Sequence, residues 1–251
     1  MKFPVYIEIG STKILLHVVF ELLAFFIGFR YFLWLRKKRG DGINTPNRTW
    51  IIIGAILGAL AGSRLIGGLE DPTQINKADN LLFYFYQNKT VLGGFLGGLA
   101  GVEIVKKIIR ERQASGDLFV YPIILALVIG RIGCFSMGVY EETYGTATTL
   151  PWGMNLGDGY PRHPVCLYEI IFLLVLWVCF RSVQKKFSLE QGALFKLFMI
   201  AYLGFRFLLD FIKPHYTYNI GLSTIQLTCI GGLLYYLPYI IRPKKLLASY
   251  A

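Results

Sequence analysis

Charge, acid and histidine are scarce in this chain. Of 251 residues 16% are charged, 15 are Asp or Glu, and three are His. That leaves too little polar surface for a soluble globule of this length. Cysteine is equally sparse. Cys134, Cys166, Cys179 and Cys229 lie in or beside apolar stretches and show neither paired metal-ligand spacing nor a disulfide framework. No metal or other cofactor is expected. Internal repeats, low-complexity tracts and the two-residue alternation of a membrane barrel are also missing.

What the chain has is apolar sequence. Hydrophobic residues make up 55% of it and the mean hydropathy is +0.51, so lipid is its solvent. A helix crosses the hydrocarbon core with about 20 residues, and runs near that length lie at 14–35, 50–69, 91–110, 119–139, 166–183, 192–212 and 220–241. Backbone polar groups in lipid must be satisfied within the segment, which forces these runs to be helices. The expected fold is all-α: one membrane-embedded domain over 1–251, polytopic, with about seven transmembrane helices. The first run ends in Arg36, Lys37, Lys38 and Arg39 and not in a small-residue cleavage site, so it should stay as a helix.

The net charge of +11 would point to nucleic acid in a soluble protein. Here the basic residues sit in short clusters after the first, third, fifth and last runs, as membrane orientation requires, and nucleic acid is set aside. This asymmetry places the N-terminus outside and the C-terminus in the cytoplasm. It also leaves Arg64, Arg131, Arg162, Arg206 and Lys213 on the outer side, several of them within apolar or glycine-rich sequence. The polar stretch 137–165, with Tyr140, Glu141, Glu142, Tyr144 and Trp152, reads as an outer cap on the membrane surface. Gly54, Gly58 and Gly62 face one way on the second helix, and Gly93, Gly97 and Gly101 on the third, a spacing that suits close helix packing.

Three arginines mark the candidate site. Arg131 lies in Gly130-Arg131-Ile132-Gly133-Cys134-Phe135. A guanidinium among apolar residues is costly without an anionic partner, and the flanking glycines clear space around it; the competing reading is an arginine snorkelling to the interface. Arg206 lies in Tyr202-Leu203-Gly204-Phe205-Arg206-Phe207 with Asp210 one turn on, so an intrahelical pair is as good a reading as a ligand site. Arg64, in Gly62-Ser63-Arg64-Leu65, is the third. Arginines converging on one side suit a lipid phosphate, because the planar fork matches its oxygens. The fifth helix opens with Arg162-His163-Pro164-Val165-Cys166-Leu167-Tyr168-Glu169. Glu169, an acid within the membrane, calls for a partner, and one of the arginines is expected to be it.

The order Gly130-Arg131-Ile132-Gly133-x-Phe135, Pro151-Trp152-Gly153, Arg162-His163-Pro164-x-x-Leu167-Tyr168-Glu169, Tyr202-x-x-x-Arg206-Phe207 with Asp210, then Gln226, resembles bacterial prolipoprotein diacylglyceryl transferase. The likeness covers most of the chain and is that of a divergent member. It implies a seven-helix enzyme of the bacterial cytoplasmic (inner) membrane. Such an enzyme moves the diacylglyceryl group of phosphatidylglycerol to the lipobox cysteine of a precursor protein and releases glycerol phosphate. It implies essential, phosphate-binding roles for Arg131 and Arg206, with Gly133, Glu169 and Tyr202 in support. Arg64 joins the phosphate group of residues, and His163 the catalytic one.

The departures from the family pattern are specific. After Gly133 the family usually has two asparagines and a glutamate in a stretch that here reads Cys134-Phe135-Ser136-Met137-Gly138-Val139. The family's histidine in the glycine-rich third helix matches Leu96, its glutamate matches Asp210, and an arginine matches Lys213. Thiol alkylation needs a proton acceptor and a stabilised leaving group. The second is in place. For the first, His163, His17, Glu169, Glu141 and Glu142 are candidates, and Cys134 could serve as a covalent acceptor. The alternatives to a lipoprotein-modifying transferase are a related lipid-binding protein without turnover, or a transferase with another acceptor.

Overall fold

The computed structural model describes residues 2–248. All seven apolar runs are helical: α1 (Leu16–Arg39), α2 (Thr45–Gly68), α5 (Val91–Ile108), α6 (Val120–Met137), α7 (Val165–Lys186), α8 (Ala193–Asp210) and α9 (Thr224–Ile241). Two short helices, α3 (Pro72–Ile75) and α4 (Leu81–Gln87), lie between α2 and α5. Five of the long helices are long and apolar enough to cross a membrane. The other two, α5 and α8, each place three charged residues in 18: Glu103, Lys106 and Lys107 in one, Lys196, Arg206 and Asp210 in the other. The helix ends follow from local chemistry. Asn44 accepts from the Asn47 amide at 2.9 Å at the start of α2, and Ser223 and Gln226 form a capping box on α9. Asp117 accepts from the Gly192 and Phe195 amides at 2.7 and 2.9 Å, satisfying open donors of α8 from across the bundle.

The all-α expectation needs one correction. An antiparallel hairpin, β1 (Tyr6–Ile9) with β2 (Thr12–Leu15), precedes α1, and a smaller one, β3 (Met154–Asn155) with β4 (Pro161–Arg162), lies between α6 and α7. Tyr6-Ile7-Glu8-Ile9 and Thr12-Lys13-Ile14-Leu15 are β-branched-rich and are joined by Gly10 at φ 61°, a hairpin pattern too short to show against a transmembrane run.

Helices α2 and α5 are in backbone contact through their glycines. A Cβ placed on Gly58 would lie 2.3 Å from the Gly97 carbonyl oxygen, and one on Gly101 would lie 2.1 Å from that of Gly54. With no hydrophobic force between helices in lipid, such close approach is what holds them. Gly97→Leu is therefore expected to separate the pair and destabilise the protein by about 1–3 kcal/mol or more. Thermal unfolding in detergent would show this, and an unchanged midpoint would refute the packing argument.

In the first turn of α2 Arg48 is 2% exposed. Its Nε donates to Asp41 at 2.7 Å and an Nη donates to the Ser115 carbonyl at 3.0 Å, while Arg36 reaches the same carboxylate at 2.9 Å. Burial pushes the Asp41 carboxyl up, but the Arg48 and Ile43 hydrogen bonds outweigh it and hold the group below the usual carboxylate range. Arg48 thus joins the α1–α2 turn to the segment before α6, a structural task beyond any share in orientation.

Candidate active site

Helices α6, α7 and α8 each bring one or two polar side chains to a common point. Arg131 from α6, Glu169 from α7, and Tyr202 and Arg206 from α8 are all buried, at 7%, 2%, 0% and 6% exposure. Glu169 is the hub. The Arg131 Nε lies 2.9 Å from its Oε2, an Arg206 Nη donates to the same oxygen at 3.0 Å, and the Tyr202 hydroxyl donates to Oε1 at 2.8 Å. Tyr202 is itself fixed by the rings of Phe95 and Phe198. The expected pairing of Glu169 with an arginine therefore holds for two of them.

Arg206 does not pair with Asp210 along its own helix. Asp210 accepts from the Ser223 hydroxyl and lies 3.5 Å from Nδ1 of His215, so it binds α8 to the start of α9. The Arg206 Nε is buried with no hydrogen-bond partner among the described residues. Glu70, just beyond α2, and Lys213, just beyond α8, bring further charge to this end. Burial pushes the Glu70 carboxyl above its usual range against the pull of Lys213 and Arg206. Burial, with repulsion from Arg206, holds the Lys213 ammonium below its own. The Thr224 hydroxyl donates to the Leu69 carbonyl at 2.6 Å and fixes the end of α2 to α9.

Gly133 contributes space. A Cβ there would lie 2.9 Å from Cβ of Phe20 and 3.2 Å from the His17 carbonyl oxygen, so its absence lets α1 close on α6 beside Arg131. An Nη of Arg131 lies 3.5 Å from Sγ of Cys134. His17, Cys134 and Glu141 in turn offer side-chain donor atoms within 4.8 Å of one another.

Two expected site residues stand apart from this hub. Arg64 lies over the Tyr86 ring, 4.8 Å from its centroid. His163 places Nδ1 3.2 Å from the Tyr168 hydroxyl, which also accepts from the Trp152 indole at 2.8 Å. Leu96, at the family's histidine position, packs towards Gly232 of α9 within the apolar core. Ser223, His215 and Glu70 escaped the sequence reading. The signal for Ser223 was its capping box with Gln226; the other two carry none in isolation.

The family model described as prolipoprotein diacylglyceryl transferase matches residues 4–242. Curated relatives named phosphatidylglycerol–prolipoprotein diacylglyceryl transferase include one from Cupriavidus metallidurans, 30% identical over 249 residues, covering 90% of this chain and 85% of the relative. Another, from Nitratidesulfovibrio vulgaris, is 33% identical over 237 residues, covering 84% and 81%. A third, from Photobacterium profundum, is 30% identical over 229 residues, covering 84% and 80%. A match over nearly the whole chain, with relatives at 30% identity or above that cover most of it, makes this chain a member of the prolipoprotein diacylglyceryl transferase family.

Proposed function

We propose that this protein transfers the diacylglyceryl group of phosphatidylglycerol to the cysteine thiol of a prolipoprotein, with Arg131 and Arg206 binding the phosphate. One observation carries the reading: two buried guanidiniums share the single carboxylate of Glu169. Within that contact the guanidiniums outnumber the carboxylate by one, an arrangement in an apolar interior that suits an anion. A phosphodiester brings one negative charge. When the thiol sulfur attacks the glycerol carbon, a C–S bond forms, the C–O bond to phosphate breaks, and glycerol phosphate leaves with the electron pair. The second charge develops on the phosphate as that bond breaks, so the arginines bind the departing group more strongly than the substrate. The Arg206 Nε, without a protein partner, is the donor left open for it.

Glu169 and Tyr202 orient the two guanidiniums, and Gly133 lets α1 pack against α6 beside Arg131. Arg64 attracts the anionic lipid at the rim. His163 acts through Tyr168, holding the 137–165 segment against α7 as an outer cap. All seven long helices cross the bacterial cytoplasmic membrane in this reading, with the N-terminus outside, the C-terminus in the cytoplasm and the reaction in the outer leaflet. The clustered basic residues at Arg36–Arg39, Lys106, Lys107, Lys185 and Lys186 support that orientation, and the relatives' names support the donor and the acceptor.

The test is incubation of the purified protein with labelled phosphatidylglycerol and a lipobox peptide. The peptide should gain the diacylglyceryl mass as labelled glycerol phosphate enters the water phase. Glycerol phosphate without modified peptide would point to another acceptor. Retained phospholipid with neither product would favour the lipid-binding alternative, which draws on the apolar packing of Leu96 where the family carries a histidine.

A further inference from the structure

Among the described residues, the other acids and imidazoles near the hub face neighbours of their own: Glu169 is engaged by two guanidiniums and a hydroxyl, Asp210 is held by Ser223, His215 faces Asp210, and His163, away from the hub, is turned to Tyr168. The imidazole at the head of α1 is placed differently. We propose that His17, oriented by Glu141, is the general base that takes the proton of the acceptor thiol, an inference that rests on the transferase reading above.

The geometry is built from both sides. Gly133 allows the backbone of His17 to approach α6 next to Arg131. The Cys134 sulfur is close to both, within 4.8 Å of a His17 ring nitrogen and 3.5 Å from the Arg131 guanidinium. The base thus adjoins the phosphate-binding arginine, with the Cys134 thiol near both. Nδ1 of His17 lies 3.3 Å from Oε2 of Glu141. Both atoms are buried and otherwise without a hydrogen bond among the described residues, which leaves each facing the other. A carboxylate on Nδ1 fixes the tautomer that leaves Nε2 as acceptor.

The remaining charges facing the ring are accounted for. Glu21, one turn along α1, lies 3.6 Å from Nε2, beyond hydrogen-bonding distance, and Lys89 holds it at 3.0 Å. Arg131 is the nearby cation, 3.5 Å from the Cys134 sulfur. The His17 side chain is 16% exposed, enough for a thiol to reach it. The family's acid is missing at Val139, and Glu141, two residues on, supplies a carboxylate to this dyad.

The step balances. The thiol proton moves to Nε2 of His17, the sulfur electron pair forms the C–S bond, and the C–O bond electrons leave on the phosphate. The imidazolium then gives its proton to solvent when product leaves.

The experiment uses the full chain in detergent with labelled phosphatidylglycerol and a lipobox peptide, between pH 6 and pH 9. His17→Gln should lower turnover at neutral pH by about 10²–10⁴-fold, the contribution of a positioned base. The deficit should narrow as pH rises, because solvent then ionises the thiol. Glu141→Gln should give a smaller loss, and both variants should retain phosphatidylglycerol as the unaltered protein does. An inactive unaltered protein would overturn the transferase reading and this inference with it. An active unaltered protein with His17→Gln unchanged, or reduced equally at every pH, would overturn the inference alone. So would activity lost on chelation and restored by zinc, because His17, Cys134 and Glu141 would then be metal ligands.

Discussion

Replacing Arg131 with Ala is expected to lower diacylglyceryl transfer by about 10²–10³-fold or more, the cost of removing one preorganised donor from a developing oxyanion. The protein should still insert and unfold cooperatively in detergent. The hub then holds one guanidinium against one carboxylate, so the excess charge proposed to attract the phosphodiester is gone as well as the donor. Phosphatidylglycerol binding should therefore weaken together with turnover. Arg131→Lys should recover little, since an ammonium restores the charge but loses the planar fork that can hold Glu169 and offer donors to a phosphate at once. Release of labelled glycerol phosphate measures the effect directly. Turnover by Arg131→Ala at the unaltered rate would remove this arginine from the mechanism.

Arg131, Glu169 and Arg206 were legible in the sequence for one physical reason. An ionisable group within an apolar run must find a partner, so each announces a contact even when the partner is unnamed. The glycine faces of α2 and α5 were legible because a four-residue period survives whatever the neighbours are. Local rules failed where tertiary contacts outbid them. The spacing of Arg206 and Asp210 offered a pair on one helix, yet Glu169 takes the arginine, and Ser223 and His215 take the acid. Nothing around Arg48 in the sequence announces that it is buried in an ion pair with Asp41. The β1–β2 hairpin was hidden beside the stronger signal of α1. The grouping of His17 with Glu141 could not be read at all, because the two meet only when Gly133 lets α1 close on α6.

The two buried ionic clusters are balanced differently, and the difference separates structure from chemistry. Around Asp41, two arginines also share one carboxylate, but Arg36 is partly exposed and water offsets its charge. Around Glu169 both arginines are buried. The first arrangement is complete as it stands and serves the fold. The second has a surplus cation, an open Nε donor and a neighbouring imidazole, which together suit an anionic substrate and a thiol.

Glu169→Gln should therefore act in the opposite sense to Arg131→Ala on lipid binding. Without the carboxylate, two guanidiniums that now meet at one oxygen are left buried and uncompensated, a loss expected to cost about 3–5 kcal/mol of stability. Asp210 cannot replace it, being held at the α9 cap by Ser223. An anionic lipid can, because anything that binds the folded state and neutralises the pair stabilises it by mass action. In neutral detergent the variant should melt well below the unaltered protein, and added phosphatidylglycerol should raise its midpoint more than that of the unaltered protein. Turnover should still fall, because tighter binding of the intact phosphodiester deepens the ground state while the guanidiniums lose the carboxylate that aims them. The readout is paired unfolding curves with and without phosphatidylglycerol. If the variant melts like the unaltered protein and gains no more from the lipid, Glu169 does not balance the two arginines, and the surplus-charge argument for phosphate binding fails with it.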